Sequence, residues 1–379
     1  MAVIAFGMGV KLSGFDLTSL ERNKNSKAPA DLNYTSVEQL YDRLRQKYDG
    51  NLDAEKLIDG MKKGLVEATG DPYTTYFTPK ESQDFQDSLD GKFSGIGAEL
   101  GKKDGQLVVV SPLEGFPAQK AGVKTGDIIL QVNGEDASKW SVDQAVSKIR
   151  GDKGTTVKIQ VARDQKPLEF TITRDDITIP SVKYEVTSDN IGYMQISRFA
   201  EDTGALAQKA ADEFKSKNVK GVVLDLRGDG GGYLDAAVSV SSLWLDNGQT
   251  VVQERQGNKV VDTLQAKGGN VLKGFPTVVL IDGGSASASE ITAGALQDTA
   301  NAKLVGVKSF GKGSVQELQK LNDGSELKVT VARWYTPKGK NIDKEGISPD
   351  IEVKMNDDDV AANRDPQKDR SFSFINTKQ

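Results

Sequence analysis

The sequence contains no histidine and no cysteine among its 379 residues. The absence of histidine excludes a Ser-His-Asp triad and a histidine-ligated metal site. The absence of cysteine excludes a thiolate nucleophile, a disulfide framework and a cysteine-ligated zinc site. A serine nucleophile in this chain would therefore need Lys, Asp, Glu, Tyr or an N-terminal amine as its base. Among these possibilities, a Ser-Lys pair is the leading hypothesis.

The chain also lacks an excess of positive charge, since 49 Lys and Arg residues stand against 54 Asp and Glu residues, for a net charge of −5. Nucleic-acid binding depends on clustered Lys and Arg, so we expect no nucleic-acid partner. The chain is 37% hydrophobic and 27% charged, which is typical of globular proteins. Its length favours about two or three domains.

The apolar segment at the N terminus, residues 2–10, is short. A membrane-spanning helix needs roughly 20 apolar residues, so this segment cannot form one by itself. Two interpretations stay open, namely a frayed N terminus and the end of a trimmed signal anchor. The absence of cysteine fits either side of a membrane and does not decide between them.

Sequence periodicity predicts a multidomain protein of mixed α/β and α+β class. Residues 1–90 are predicted to form an N-terminal helical arm, with helices near residues 36–48, 57–65 and 80–89. Ser36 and Gln39 have the spacing of a capping box at the start of the first helix. Residues 91–176 contain short β-branched runs separated by glycine turns, with one helical pattern near residues 142–149. This pattern predicts a small β-rich domain.

Residues 177–355 alternate between strand and helix patterns, which predicts an α/β layer with parallel strands. The predicted strands are 191–196, 219–226, 278–281 and 304–307, and the predicted helices are 205–214, 234–244 and 288–296. Residues 356–379 are charged and weakly patterned, and we interpret them as a tail.

A run of serines, Gly284-Ser-Ala-Ser-Ala-Ser-Glu290, lies between one of these predicted strands and the next helix. A serine at such a turn can project into a cleft that the N–H groups of the helix start also face. This arrangement suits the stabilisation of a tetrahedral oxyanion. The alternative is that Ser285 or Ser287 simply caps the helix.

The β-rich region resembles a PDZ domain. The resemblance is carried by Phe93-Ser-Gly-Ile-Gly-Ala98, by residues 111–122, by Thr125-Gly-Asp-Ile-Ile129 and by Val132-Asn-Gly134. PDZ domains bind the carboxylate of a peptide C terminus at a glycine-bearing loop, and the peptide adds as a strand beside a helix. The resemblance implies a carboxylate loop of Gly95, Ile96 and Gly97 and a groove-lining helix face of Val142, Ala145, Val146 and Ile149. The alternative for the helix residues is that they form the domain's own core.

From Asp71 to Asp350 the chain resembles the carboxy-terminal processing peptidases, which are tail-specific serine proteases with an inserted PDZ domain. The motifs are Asp71-Pro-Tyr-Thr-Thr-Tyr-Phe77, Asp225-Leu-Arg-Gly-Asp-Gly-Gly-Gly232, the serine run, and Phe310-Gly-Lys-Gly-Ser-Val-Gln316, in this order around the PDZ-like region. The resemblance implies that Ser287 is the nucleophile and Lys312 its base. It also implies that Gln316 orients Lys312.

The same resemblance implies an oxyanion hole formed by the N–H groups of Ala288 and Gly231. This chain has Gly228-Asp229-Gly230 where many relatives have Asn and Pro. Arg150 is similar in position to an arginine that links peptide occupancy to assembly of the active site in relatives. The alternative for Arg150 is a surface arginine beside the C terminus of a helix.

Lys312 can accept a proton only when its amine is neutral. An ordinary lysine has a pKa of about 10.4, and a general base at neutral pH needs a pKa of roughly 7–8. A dry pocket without a carboxylate partner would produce that change. The apolar neighbours Val307, Phe310 and Val315 favour such a pocket over the alternative of a solvated loop lysine.

The resemblance further implies a protein that needs no cofactor or metal and acts on protein or peptide substrates with apolar C termini. It implies an extracytoplasmic location, a membrane tether in the full-length form, and a homodimer formed through the helical arm and the C-terminal segment. Two rival functions stay open. One is a catalytically silent PDZ-type scaffold. The other is a β-lactam-reactive serine enzyme, suggested by Ser309-Phe-Gly-Lys312, Ser188-Asp-Asn190 and Lys124-Thr-Gly126, although their order is reversed relative to that family.

Overall fold

The computed structural model describes residues 32–103, 105–362 and 364–377. Within these residues the chain forms two compact units. The first contains the residues up to Gln83, Tyr184–Phe199 and the residues from Ala207 onward, and the second contains Asp84–Lys183 and Ala200–Leu206. Residues 1–31 of the predicted helical arm lie outside the described residues.

The helices and strands follow one another along both units. The described helices are α1 (Thr35–Lys47), α2 (Ala54–Glu67), α3 (Pro79–Leu89), α4 (Pro117–Lys120), α5 (Val142–Ile149), α6 (Thr203–Ser216), α7 (Leu234–Ser242), α8 (Ala288–Thr299), α9 (Asp357–Ala361) and α10 (Pro366–Thr377). The described strands are β1 (Thr75–Phe77), β2 (Lys92–Gly95), β3 (Ala98–Lys103), β4 (Gln106–Pro112), β5 (Ile128–Val132), β6 (Glu135–Asp136), β7 (Thr156–Arg163), β8 (Lys166–Thr173), β9 (Asp175–Thr178), β10 (Val182–Val186), β11 (Gly192–Ile196), β12 (Val222–Asp225), β13 (Thr250–Gln256), β14 (Lys259–Gln265), β15 (Thr277–Ile281), β16 (Lys303–Gly306), β17 (Ser314–Lys320), β18 (Glu326–Tyr335) and β19 (Ile351–Glu352).

The first two helices confirm the periodicity read from the sequence but not the predicted cap. Helix α1 begins at Thr35, so Ser36 lies inside it and the predicted capping box of Ser36 and Gln39 is wrong. Asn33 Oδ1 instead accepts a hydrogen bond of 2.9 Å from the Thr35 N–H. Helix α2 has an Asp53 cap, whose Oδ1 accepts from the N–H groups of Glu55 and Lys56.

The second unit is built on an antiparallel sheet in the order β3-β4-β5-β7-β8, with β6 paired to β5. Strands β2 and β9 form a separate antiparallel pair. Strand β3 stands at one end of the larger sheet and pairs only with β4 among the described strands. Helix α5 contacts β3 and begins with a capping box of Ser141 and Gln144. The predicted β-rich fold with one good helix is therefore confirmed.

The first unit contains a sheet in the order β10-β11-β12-β15-β16-β19. The four pairs from β11 to β19 are all parallel, which confirms the parallel pairing that strand and helix alternation predicts. Strands β12 and β15 are buried along their whole length. A second sheet of the unit joins β1, β18, β13 and β14, with β17 also paired to β18.

The C-terminal segment differs from the predicted tail, because residues 366–377 form helix α10. Ile375 of α10 joins the core of the parallel sheet, with Phe372 and Phe374 packed against that core. Arg227 also binds the segment before the helix, since its Nη2 lies 2.8 Å from Asp365 Oδ2. Apolar residues are few in this helix, so its sequence carries little periodic signal.

None of the helices in the described part of the chain is both long and apolar enough to cross a membrane.

Candidate active site

Three loops of the first unit meet where parallel strands end. The loop after β12 carries Asp229 and Gly231, the loop after β15 carries Ser287, and the loop after β16 carries Lys312. Strands β12, β15 and β16 are neighbours in the sheet, so their carboxyl ends lie along one edge. Crevices at the carboxyl ends of parallel strands are common ligand sites in α/β proteins.

Ser287 lies at the turn that precedes helix α8, in an unusual backbone conformation. Its φ is +56° and its ψ is −114°, a region that costs energy for a residue with a side chain. The side chain is buried, and Oγ forms no hydrogen bond with any residue that the structure describes. Ser287 is nevertheless the N-cap residue of α8, and its backbone N–H binds the Glu290 side chain as in a capping box, so the alternative that Ser287 caps the helix stays open. The other candidate for the cap, Ser285, donates its Oγ to the Leu226 carbonyl instead.

Glu290 of α8 connects the Ser287 loop to the Lys312 loop. Glu290 Oε2 accepts a hydrogen bond of 2.8 Å from the Ser287 N–H and one of 2.9 Å from the Lys312 N–H. The two backbone nitrogens therefore lie within 5.7 Å of each other, the sum of these two lengths. Glu290 Oε1 accepts from Ser309 Oγ at 2.5 Å and from the Gly311 N–H at 2.7 Å.

The Glu290 carboxylate is fully buried, and its four hydrogen bonds offset the cost of removing the charge from water. Burial raises the pKa of Glu290, and the hydrogen bonds from Ser309, Gly311, Ser287 and Lys312 oppose that rise. Sequence reasoning assigned no role to this residue, although it ends the serine run. Its importance comes from partners in two loops that the sequence separates.

Lys312 is half-buried, and burial lowers the pKa of its amine below the ordinary lysine value, while the charge of Glu290 acts in the opposite direction. Lys312 Nζ lies 5.4 Å from the centroid of the Tyr73 ring, and it forms no hydrogen bond within the described residues. The half-burial of Lys312 disfavours the alternative of a fully solvated loop lysine. Of the apolar neighbours, Val315 is buried but Phe310 is 61% exposed, so Phe310 does not shield the amine as its position suggested.

A second lysine, Lys328, which the sequence did not indicate, interacts electrostatically with Lys312. Burial and the charge of Lys312 lower the pKa of Lys328, on strand β18, to about 8, and Asp71 opposes the change. The Lys328 amine lies 5.3 Å from the centroid of the Phe77 ring. Two amines in one partly buried region disfavour each other's charged form. No sequence signal marks Lys328, because it is one of several lysines in β-rich segments.

Gln316 is buried on β17, and its amide nitrogen binds residues other than the predicted partner. Its Nε2 donates to Ser314 Oγ at 2.6 Å and reaches Thr330 Oγ1 at 3.5 Å. The structure therefore does not bring the Gln316 amide into hydrogen-bond contact with Lys312. The orienting role of Gln316 stays a prediction.

The predicted oxyanion-hole residues lie together beside Ser287. At Gly231, where φ is +98°, an added Cβ would lie 2.8 Å from Ser287 Cβ and 3.0 Å from the Ala288 nitrogen, so only glycine fits. The Ala288 N–H donates to no described residue and is available. The Gly231 N–H instead donates to Asp229 Oδ1 at 2.8 Å.

The predicted carboxylate loop of the second unit has a backbone suited to anions. The N–H groups of Ile96 and Gly97 donate to no residue within the described chain, and Gly95 ends strand β2 just before them. Gly97 has a φ of +70°, and an added Cβ there would lie 2.4 Å from Phe116 Cβ. This close approach explains the need for glycine at position 97.

Two of the four groove residues predicted on α5 belong to the core of the second unit. Ala145 and Ile149 are buried among its strands, which agrees with the alternative that they form the domain's own core, and their contact with a peptide stays a prediction. Val142 and Val146 are half-buried, and their role stays a prediction. Arg150 follows α5, and its guanidinium lies 4.6 Å from the Phe93 ring centroid within the same unit.

No group of acidic residues in the described ranges is arranged to hold a metal ion.

Three family models match the chain. "Peptidase family S41" matches residues 190–353, "PDZ domain" matches residues 83–162, and "Activating protease CtpB N-terminal domain" matches residues 9–81. The carboxy-terminal processing protease CtpA of Bacillus subtilis (strain 168) is 37% identical over 358 residues, which cover 94% of this chain and 76% of that protein. This chain belongs to the carboxy-terminal processing proteases of peptidase family S41.

Two further comparisons support this assignment of the S41 peptidase. The carboxy-terminal processing protease CtpB of Bacillus subtilis (strain 168) is 38% identical over 379 residues, covering 94% of this chain and 78% of that protein. The solved photosystem II D1 C-terminal processing protease is 29% identical with a TM-score of 0.53, and the match covers 85% of this chain and 87% of that chain. The sequence resemblance to this family and to PDZ domains is confirmed.

Proposed function

We propose that this S41 peptidase is a serine endopeptidase that cleaves through an acyl-enzyme with a Ser287–Lys312 dyad. The observation that carries the proposal is the single oxygen, Glu290 Oε2, which holds the backbone N–H groups of both residues. The buried Ser287 hydroxyl, with no partner among the described residues, is a second support. A nucleophile and a base on adjoining loops are what this chemistry needs.

In the proposed reaction, Ser287 Oγ attacks the carbonyl carbon of the scissile peptide bond and its proton passes to the neutral Lys312 amine. The tetrahedral oxyanion is stabilised by the Ala288 N–H and by an N–H of the Gly231 loop. The intermediate collapses as the C–N bond breaks, and the Lys312 ammonium donates its proton to the leaving nitrogen. A water molecule then attacks the ester, with Lys312 taking its proton, and Ser287 is regenerated.

Burial helps Lys312 in this role, since a desolvated amine is neutral at a lower pH than an ordinary lysine. The lowered pKa of Lys312 agrees with that requirement. The charge of Lys312 in turn lowers the pKa of Lys328. We propose that Gln316 orients the amine only after substrate has entered, because its amide is now engaged by Ser314.

We further propose that the PDZ domain selects substrates by their C termini. The available N–H groups of Ile96 and Gly97 would bind the terminal carboxylate, and the open edge of β3 would pair with the tail. Half-buried Val142 and Val146 would contact apolar side chains of the tail. Arg150 would link binding of a peptide in the groove to assembly of the active site, as the family resemblance implies.

Amidation of the substrate's C terminus is expected to lower kcat/KM by about 10- to 100-fold. The amide cannot form the charge-assisted hydrogen bonds that a carboxylate forms with backbone N–H groups, and each tenfold loss corresponds to about 1.4 kcal/mol. The measurement is the rate of cleavage of matched peptides with free and amidated C termini. Acetylation of the N terminus is the control and should leave the rate unchanged. Equal cleavage of the free and amidated peptides would contradict tail recognition.

The experiment that tests the proposed function compares the wild type with Ser287→Ala and Lys312→Ala on an unstructured protein that has a free apolar C terminus. The proposal expects cleavage by the wild type alone. Cleavage that survives in both variants would contradict the Ser-Lys dyad, and binding of the tail without cleavage by the wild type would favour a PDZ-type scaffold.

A chromogenic β-lactam tests the remaining rival function, a β-lactam-reactive serine enzyme. The structure disfavours this function because Ser309 Oγ donates to Glu290 and is not a free nucleophile.

We propose that the helical arm forms a homodimer contact. Helices α1 and α2 leave a set of large apolar side chains exposed: Val37, Leu40, Tyr41, Ile58, Met61 and Leu65. Such patches often mark protein interfaces. We expect Leu40→Glu with Leu65→Glu to convert a dimer to a monomer in sedimentation experiments, and Lys56→Glu, an exposed change on α2, to have no effect. A monomeric wild type at micromolar concentration would contradict the proposal. The C-terminal segment is not included, because α10 packs on its own sheet.

Extracytoplasmic location with a membrane tether is also a proposal, based on family membership alone. Fractionation of cells that express the full-length gene product is the direct measurement. Recovery of the protease in the cytoplasmic fraction would reject the proposal.

A further inference from the structure

Asp229 is a buried carboxyl group in the loop that lies beside Ser287, and the reaction described above does not use it. Asp229 is fully buried. The Asp229 carbonyl oxygen accepts from the Ala286 N–H at 2.9 Å and from Ser289 Oγ at 2.9 Å. These bonds attach the Asp229 backbone to the chain on both sides of Ser287.

The two oxygens of the Asp229 side chain are in different situations. Oδ1 accepts from the Gly231 N–H at 2.8 Å. Oδ2 is buried and has no hydrogen-bond partner among the described residues. A carboxylate with one buried oxygen unpaired is costly, so the charged form of this group is poorly compensated.

The Gly231 N–H is the donor that family resemblance places in the oxyanion hole. Only one strong acceptor can be well aligned with a single N–H. An oxyanion at Gly231 would have to share this hydrogen with Asp229 Oδ1, and two negative oxygens on one donor would lie only about 3–5 Å apart, where their repulsion is strong. A charged Asp229 and a filled oxyanion hole therefore oppose each other.

We propose that Asp229 controls the oxyanion hole of this peptidase: its carboxylate form holds the Gly231 N–H strongly and repels the oxyanion, whereas its neutral acid form is a weaker, uncharged acceptor and leaves the hole competent. This proposal rests on the proposed Ser-Lys mechanism and adds a regulatory group to it. Asp229 is a positioning residue in this scheme, because it acts through Gly231 and through its charge.

The surroundings of Asp229 favour protonation near neutral pH. Burial raises its pKa to about 7, while the Gly231 N–H, the Ser289 hydroxyl of α8 and the charge of Arg198 act in the opposite direction. The other charged groups at the site are Glu290 on α8, which binds the Ser287 and Lys312 backbone N–H groups, and Lys312 on the adjoining loop; neither is among the groups that shift the pKa of Asp229.

The pKa of Asp229 determines how the activity is expected to change with pH. Protonation supports activity, so the contribution of Asp229 declines as the pH rises through about 7. The Lys312 amine has the opposite dependence, since it must lose its proton to act as a base. Dividing the activity of an Asp229 variant by that of the wild type removes the Lys312 contribution and leaves that of Asp229.

The test is the pH dependence of kcat/KM for Asp229→Asn relative to the wild type, on a peptide that both enzymes cleave. Asparagine keeps the shape and the acceptor but cannot become negative. With a pKa near 7, the ratio of variant to wild type is expected to rise about tenfold between pH 6 and pH 8. Asp212→Asn, at an exposed carboxylate on α6, is the matched control and should give a constant ratio. A constant ratio for Asp229→Asn would overturn the proposal.

Asp229→Ala is the second variant, because it removes both the charge and the acceptor, and it should show the same rise in ratio. Thermal melting gives a readout that does not depend on activity. A carboxyl whose folded pKa is raised binds more protons in the folded state, so wild-type stability falls with rising pH between the unfolded and folded pKa values. The melting temperature of Asp229→Asn should therefore exceed that of the wild type by more at pH 8 than at pH 5.

A shift in melting temperature without a change in the activity ratio would show that Asp229 titrates but does not control the hole, and the proposal would fail. Ser287→Ala separates this failure from failure of the proposed function. If Ser287→Ala abolishes cleavage while the Asp229→Asn ratio stays constant, the dyad holds and the control by Asp229 is rejected. If Ser287→Ala cleaves normally, the dyad itself is rejected.

Discussion

Lys312→Arg is expected to lower kcat by at least about a thousandfold while leaving the fold intact. A guanidinium remains protonated at every pH at which proteins are stable, so arginine cannot accept the Ser287 proton even though its size and charge are similar to those of lysine. In the wild type, burial lowers the pKa of Lys312, and activity should rise with pH as the amine becomes neutral. The measurement is kcat against pH for the two proteins.

Lys308→Arg is the matched control, because Lys308 is an exposed residue of the same loop and its substitution should leave kcat unchanged. Circular dichroism and a urea titration should show equal stability for both arginine variants. If Lys312→Arg retained more than about a tenth of wild-type kcat, Lys312 could not be the general base, since general-base catalysis accounts for at least about a hundredfold.

Glu290→Gln is expected to lower the free energy of unfolding by about 3–5 kcal/mol, because it disrupts a buried and fully hydrogen-bonded charged group. Glu290 accepts four hydrogen bonds, and the amide nitrogen of glutamine would face donors where the carboxylate presented an acceptor. The loss should appear as a lower urea midpoint. Glu345→Gln, at an exposed position, is the control.

The same variant should lower kcat by roughly a hundredfold, because a displacement of about 1 Å between nucleophile and base has effects of this size. A second consequence separates positioning from general destabilisation. The charge of Glu290 raises the pKa of Lys312, so its removal should move the acidic limb of the pH profile to lower pH. A stable Glu290→Gln protein with wild-type kcat and an unchanged pH profile would contradict the positioning role.

Local patterns in the sequence were sufficient to predict most of the fold. The strand that precedes Ser287 is a run of apolar residues, and alternation of such runs with helical patterns predicted parallel pairing, which the β12, β15 and β16 neighbours confirm. The helix at Val142–Ile149 was predicted from its apolar spacing. Helix α10 was missed because its few apolar residues become a core face only when the parallel sheet is present to pack against.

The sequence by itself determined which reactions are open to this protein, because the lack of histidine and cysteine leaves few bases for a serine, and the order of the motifs identifies the family. Only the tertiary structure decided how the groups interact. Glu290 joins Ser287 to Lys312, Gln316 is engaged elsewhere, and Asp229 takes the Gly231 N–H. The physical reason is that hydrogen bonding and desolvation depend on distances between loops at the ends of different strands, and no local pattern in the sequence records those distances.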